Sequence, residues 1–473
     1  MLIPHDQPAR AGRRGEWMSD LHARAKRLLV ANQKTGVKAI GGEETEFSYA
    51  CPAVQVYPHQ WLWDSCFHAI VQSRFDPQRA RAELRTLLSS MREDGFIPHI
   101  IPWGNVRGRS PLSRGAEWIY RRSHFANVTQ PPVLGVALAE YYRATGDADF
   151  ARAVLPLVKR HYQYFTSHRD PDGDGLISIV FPIESGMDHL PTYDALLGRA
   201  KPSALNYHVL NVSLLLRYAW HGWDLRRIFA ADRFVVEDIG FNCLYAFGLR
   251  ALSELCRELG DAETEQVDDQ WRRVEEAILT QCYDPTDGFF YSLCGRKHQM
   301  ARVKTVASLL TFLLPSLPAS AAERMINDYV LDPKHFWTAY PVPSVSLSEA
   351  SFAPSSRQLP SDGRLSHAMT TLFAKRHLIW RGPTWVNTNW LLARGLRLHG
   401  YHAIADELTT RTAEMIRLQG FWEYYNPLTG VGEGAQDFGW STLVVDMLDD
   451  HRLYEAAASP LPRLAVAIEK AAS

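Results

Sequence analysis

The chain has 473 residues, enough for a large core, and a formal charge of -1 from 51 Lys and Arg against 52 Asp and Glu. That balance gives a nucleic acid or other polyanion no basic face to bind, so no nucleic-acid partner is expected. No run of about 18 apolar residues occurs, so no membrane-spanning helix is expected either. The first sixteen residues, MLIPHDQPARAGRRGE, lack the apolar centre of a signal peptide and read as a loose N-terminal arm before a single domain over residues 17–473. Six cysteines, Cys51, Cys66, Cys243, Cys256, Cys282 and Cys294, include no C-x-x-C pair. They read as reduced thiols of a cytoplasmic protein and not as a zinc site.

Taken in chain order, one unit recurs. FDPQRARAELRTLLSSMREDGFIPH opens with a turn, places Leu84, Leu87, Leu88 and Met91 on one helical face, and breaks at Asp94-Gly95. The form returns in TGDADFARAVLPLVKRHYQYFTSHRDPDGDGLI and in LGDAETEQVDDQWRRVEEAILTQCYDPTDGFFY, where Val267, Trp271, Val274 and Ile278 step as a helix stripe does. LPASAAERMINDYVLDPKHFWTAY and HGYHAIADELTTRTAEMIRLQGFWEYYNPLTG are weaker copies. A second helical run precedes several of them, as in PPVLGVALAEYYRATGD, NCLYAFGLRALSELCRELGD and TNWLLARGLRLHG, each stopped near a glycine. Strand character is confined to short connecting pieces such as GLISIVF.

Helical hairpins stack either as an open solenoid or as a closed ring. Here one set of connections is short and the other is long, irregular and rich in Trp, Gly and Pro. That asymmetry favours an all-α (α/α)6 barrel with its function at one rim.

The long connections hold the chemically distinctive residues. YPHQWLWDSCFHA carries Trp61, Trp63 and Asp64; EDGFIPHIIPWGN carries His99 and Trp103. ESGMDHLPTYD carries Asp188, bracketed by Gly186 and Pro191. WRGPTWVNTNW and FWEYYNPLTGVGEGAQDFGWS come late in the chain. Aromatic faces beside carboxylates and amides suit a sugar, which stacks its apolar face on a ring and bonds its hydroxyls to carboxylates. Hydrolysis of a glycosidic bond needs one carboxylic acid to protonate the leaving oxygen and a second carboxylate to activate water or attack. Asp188, stiffly held beside Met187 and Leu190, has surroundings that suit an acid kept protonated. Glu423 lies among Trp422, Tyr424 and Tyr425, whose hydroxyls are in a position to orient it. Glu433 competes for the second role from the glycine-rich GVGEGA.

The stretches WLWDSCF, ESGMDHLP, WRGPTWVNTNW and EYYNPLTG…GAQDFGWS, spanning about Trp61 to Trp440, resemble glycoside hydrolase family 63. The likeness is greatest to its compact bacterial branch of mannosylglycerate and glucosylglycerate hydrolases. QDFGW is also similar to a trehalase signature. The resemblance implies an inverting α-glycosidase on an (α/α)6 barrel, acting on a small α-glucoside or α-mannoside without a cofactor or catalytic metal. By motif position it implies Asp188 as general acid and Glu423 as general base. It implies Asp64 as a grip on sugar hydroxyls, and Trp63, His99, Trp380, Arg381, Gln436 and Trp440 about the pocket.

This chain departs from the family pattern in two places. His189 and Leu190 stand where Asn-Ser usually follows the acid, and Ile379 stands where Tyr usually precedes WRGP. Both departures bear on the aglycone. DPDGDG, Asp170 to Gly175, resembles the start of a calcium loop, yet Phe181 occupies the twelfth position where an EF-hand needs Glu. Arg107, Arg109, Arg114, Arg121 and Arg122 form either a solvated basic face or a cap for an anionic aglycone. The competing readings are a trehalase or a sugar epimerase on the same barrel, the epimerase relying on paired histidines, and a non-catalytic helical scaffold.

Overall fold

A computed structural model of the chain describes residues 7–40, 43–103, 126–198, 202–355 and 378–457. The helices in chain order are α1 (Gln7–Ala31), α2 (Leu62–Ser73), α3 (Pro77–Leu88), α4 (Leu134–Thr145), α5 (Ala148–His168), α6 (Ala204–Trp220), α7 (Leu225–Ala231), α8 (Ile239–Leu259), α9 (Thr264–Gln281), α10 (Val306–Leu309), α11 (Ala319–Met325), α12 (Val386–Leu398), α13 (His402–Gln419) and α14 (Leu443–Ala457). Residues 7–16, read from sequence as a loose arm, therefore belong to a helix. GLISIVF forms no strand; it makes a single bridge, Ile179 to Val236.

Burial sorts the hairpins into two layers. Every residue of α2 is buried, as are Val306–Leu309 and the 3-10 turn Leu310–Leu313 that prolongs α10. A helix covered on all sides lies inside the fold. α9 instead buries one face, with Val267, Val274 and Ile278 inward, and so lies outside. Among the described residues six inner helices form a closed circuit. α2 touches α4, α4 touches α8, and α8 touches α10 and its extension. That extension touches α12, α12 touches α14, and α14 returns to α2. This closure makes an (α/α)6 barrel and excludes an open solenoid. α3, α5, α9 and α13 pack on α2, α4, α8 and α12, and α1 packs on α14.

The turns from α2, α4, α8 and α12 to their outer partners are short. Gly146 and Gly260 end α4 and α8 in the left-handed conformation, where a side chain would strain the backbone. The Asp147 side chain then caps α5 by accepting from the Phe150 amide. Because every hairpin turns tightly at the same end, the inner helices all start at the opposite end. The long connections therefore collect around their N-termini.

A buried ion cluster ties four inner helices together. Asp446 on α14 is fully buried and accepts from Arg74 Nε at 3.0 Å, Arg394 Nη2 at 2.8 Å and Trp390 Nε1 at 2.7 Å. Arg394 on α12 also reaches Glu140 on α4 at 2.6 Å, and Arg74 follows α2. Burial opposes ionisation of Asp446, but Arg394 and Arg74 outweigh it and hold the carboxyl below its ordinary range. Removing Asp446 takes away the carboxylate that Arg74 and Arg394 share and leaves two interior guanidinium groups to the remaining acids. Asp446→Ala is expected to cost about 3–5 kcal/mol, read as a lowered urea midpoint. An unchanged midpoint would mean that the cluster does not hold the ring.

Candidate active site

Asp188 projects from a turn built on a buried salt bridge. The 3-10 turn Pro182–Ser185 carries Glu184, which takes both Arg169 guanidinium nitrogens, at 3.0 and 2.7 Å, and the Val180 and Thr129 amides. This carboxylate, four residues before Asp188, is thus fully used in fixing the turn. Gly186 follows with φ 71° and lies so close to Trp63 that a Cβ there would sit 2.5 Å from the indole. Ser185 Oγ accepts from the Met187 amide, and Met187 and Leu190 are buried on either side of the partly exposed Asp188.

Glu423 comes from an irregular hairpin. β1 (Trp422–Tyr425) pairs antiparallel with β2 (Gly432–Gln436), and the register shifts between Trp422 and Tyr424. The extra residue is on the second strand, where Gly434 and Ala435 together stand opposite Glu423, and this bulge aims the Ala435 amide at the Glu423 side chain. Its Oε1 accepts from Tyr57 Oη at 2.9 Å and its Oε2 from the Ala435 amide at 3.0 Å. Gly434 (φ 78°) makes room for this, since a Cβ would stand 2.6 Å from Oε2. Trp440 Nε1 donates to the Glu423 carbonyl at 3.1 Å. Burial, then the neighbouring Glu423 and, more weakly, Asp188, push the Tyr57 phenol well above its usual range, so it serves as a neutral donor.

Asp188 and Glu423 line one cavity together with Asp64, Tyr57, Gln130, Ile379 and the rings of Trp61, Trp63, Trp380, Trp385, Phe438 and Trp440. Trp63 and Asp64 lie in the first turn of α2 and Trp385 immediately precedes α12, so inner-helix N-termini face this space. Trp380 stacks on Trp385 with ring centroids 3.7 Å apart, and Trp63 meets Trp440 edge-on at 5.5 Å. The Trp380 backbone is left-handed (φ 59°), a costly state for a bulky residue, and its ring lies in the wall.

Three residues expected at the pocket are elsewhere. Gln436 is exposed and lines a separate groove with Arg24, Arg27 and Asn32, because the bulge turns Ala435 toward Glu423 instead. Arg381 is buried behind the wall, where its guanidinium pairs with Asp194 at 2.7 Å and lies over Tyr207. His99 supports the wall from outside, its ring edge-on to Trp61 and Nδ1 3.1 Å from the Val128 carbonyl. Burial lowers its pKa to about 4, so it is neutral. Tyr425, expected near Glu423, donates to the Gly420 carbonyl. Glu433, in the glycine-rich stretch, is buried on β2 opposite Tyr424 and is not among the cavity's lining residues. Sequence reasoning does not find Tyr57 or Gln130; only the nearness of Tyr57 to the Trp61–Asp64 motif points to it. The arginines between 107 and 122 lie outside the described residues.

A second polar cluster stands apart from this cavity. Asp172, Asp174, Glu237 and His298 bring one donor atom each to within 4.8 Å of one another. His298 Nε2 lies 3.1 Å from Asp172, and Nδ1 lies 3.0 Å from Glu237. Burial disfavours the imidazolium, but Glu237 and the two aspartates outweigh it and raise its pKa. The DPDGDG turn thus gathers two groups, Glu237 and His298, that its own spacing does not disclose.

The model of the mannosylglycerate hydrolase MGH1-like glycoside hydrolase domain matches residues 57–441. This chain belongs to that family. It is a glycoside hydrolase. The chain is 30% identical over 435 residues to the mannosylglycerate hydrolase of Thermus thermophilus, covering 83% of this chain and 95% of the relative. It is 25% identical over 426 residues to the glucosylglycerate hydrolase of Mycolicibacterium hassiacum, covering 82% and 91%. A crystal structure of the family 63 mannosylglycerate hydrolase from Thermus thermophilus with Tris and D-glycerate superposes with a TM-score of 0.75 at 27% identity, over 91% of this chain and 100% of that one.

In this glycoside hydrolase the contact between Gly186 and Trp63 couples the Asp188 turn to the pocket wall. Gly186→Ala is expected to cost about 1–3 kcal/mol, from overpacking against the indole and the positive φ. Activity should fall with it. Thermal melting and turnover of the variant check this, and a variant as stable and active as the parent would show that the turn accommodates a side chain.

Proposed function

We propose that this enzyme hydrolyses a small α-glycoside of the glucosylglycerate or mannosylglycerate kind with inversion, Asp188 acting as general acid and Glu423 as general base. The observation that carries this reading is that the two carboxylates reach one aromatic-walled cavity from unrelated elements, each held by its own local structure. The sugar stacks on Trp63, Trp380 and Trp440, and Asp64 accepts from its hydroxyls. Asp188 gives its proton to the glycosidic oxygen as the C–O bond breaks. Glu423 takes a proton from the water that attacks the anomeric carbon on the opposite face. Tyr57 and the Ala435 amide fix the plane of the Glu423 carboxylate, so the base is aimed before substrate arrives.

The aglycone follows from the relatives' names and from their match over nearly their whole length. An epimerase would need paired histidines, and none lines the cavity among the described residues. No helix among the described residues is long and apolar enough to cross a membrane. All six cysteines are free, which supports a reducing, cytoplasmic setting.

The test is release of monosaccharide from a panel of mannosylglycerate, glucosylglycerate, kojibiose and trehalose. The glycosylglycerates are expected to be cleaved fastest, and cleavage of trehalose alone would overturn the substrate reading. On the best substrate, Asp188→Asn and Glu423→Gln should each lower kcat by about 10²–10⁴-fold, whereas Glu433→Gln should act mainly on KM. A Glu433→Gln enzyme without turnover beside an active Glu423→Gln enzyme would reverse the choice of base.

A further inference from the structure

The imidazole next to Asp188 has two ring nitrogens with different partners. His189 is buried. The backbone N–H of Ile379 donates to its Nδ1 at 3.2 Å, so Nδ1 presents a lone pair and no proton. The proton of the neutral ring then sits on Nε2, which lies 3.5 Å from Asp188 Oδ2. The ring plane is fixed as well. It meets Tyr207 edge-on at 5.3 Å, and the Tyr207 hydroxyl donates to Asp194 at 2.8 Å and accepts from Arg381 at 3.1 Å.

We propose that His189 is a positioning residue for the acid: with Nδ1 engaged by the Ile379 amide, it turns its Nε2–H toward Asp188 Oδ2 and leaves Oδ1 to carry the proton that is delivered. This rests on the reading of Asp188 as general acid. As the C–O bond breaks, the Oδ1 proton passes to the leaving oxygen and Asp188 becomes a carboxylate. The Nε2–H then donates to the charge that has just formed. A neutral donor suits this task, because a fixed cation in its place would favour the carboxylate before substrate arrives. Among the described residues, the other titratable groups around Asp188 are Tyr57 ahead of α2, Asp64 on α2, Glu423 on β1 and Tyr207 on α6. Arg381, beyond Tyr207, is engaged by Asp194. The arrangement also links the 378–381 segment to the acid, since Ile379 sets the tautomer while its side chain lines the cavity.

The test compares His189→Phe, which keeps a ring against Tyr207 and removes the N–H, with His189→Gln, which returns an N–H near the position of Nε2. With mannosylglycerate or glucosylglycerate as substrate, whichever the parent cleaves faster, His189→Phe is expected to lower kcat about ten-fold, as loss of one hydrogen bond to a developing charge does. KM should stay within about two-fold. The basic limb of the kcat/KM profile, which reports the acid, should move to higher pH, because a donor that favours the carboxylate is gone. His189→Gln should recover most of the loss. A His189→Phe enzyme with the parental kcat and basic limb overturns the proposal, as does a Gln variant impaired about ten-fold; the latter decides the matter even if the Phe variant does not fold. Asp188→Asn, measured alongside, separates the two levels. If it keeps full activity the acid assignment fails and this proposal with it, whereas an inactive Asp188→Asn beside an unaffected His189→Phe removes only the role of His189.

Discussion

The shared direction of the inner helices is the constraint on which the rest of this molecule depends. Tight turns after α2, α4, α8 and α12 send each outer helix back along its partner, so every inner helix starts at the same end. The N-termini leave unpaired amides and positive dipole ends there. The connections that must span from an outer helix to the next inner one are long enough to fold into turns and hairpins of their own. Asp188 and Glu423 both sit on such connections, and Asp64 sits in the first turn of an inner helix. The buried cluster around Asp446 braces the ring that carries them.

Placing two carboxylates in one cavity is a problem of rigidity as much as of chemistry. The chain solves it with ion pairs used as positional ties. Arg169 and Glu184 lock the turn before Asp188, and Arg381 and Asp194 bind the 378–381 segment of the pocket wall to the 3-10 turn Pro191–Leu197 that follows it. Burying such pairs stabilises little in net terms, because desolvation offsets most of their attraction. Their contribution here is a single fixed geometry. Glu423 is held by a strand bulge, one glycine and two hydrogen-bond donors, Tyr57 and the Ala435 amide.

Much of this was legible in the sequence, and the remainder has identifiable physical causes. Helical periodicity and glycine stops are local, so the hairpins could be read directly, and Trp63, Asp64, Asp188, Trp380, Glu423 and Trp440 do line one cavity. Gln436 was misplaced because a strand residue alternates faces, and one bulge reverses that alternation; nothing in GEGAQ announces it. Arg381 was misplaced because its partner Asp194 lies far away in sequence, and a guanidinium beside a tryptophan looks the same whether it faces substrate or a buried carboxylate. Tyr57 escaped notice because its function depends on Glu423, which only the closed ring brings beside it. The helix starting at Gln7 lies in a stretch whose composition signals little, since arginine and glycine there obscure its continuity with the stripe that follows.

The central claim is that Asp188 and Glu423 act as an acid and base on either side of the bond, with water and not a carboxylate attacking the sugar. Proton NMR of the first minutes of hydrolysis tests it most directly, because the anomer formed first records which face was attacked. Early appearance of the β-anomer from an α-linked substrate is the predicted result. Early α-anomer, or a sugar trapped covalently on either carboxylate, would contradict it and make one of the two residues a nucleophile.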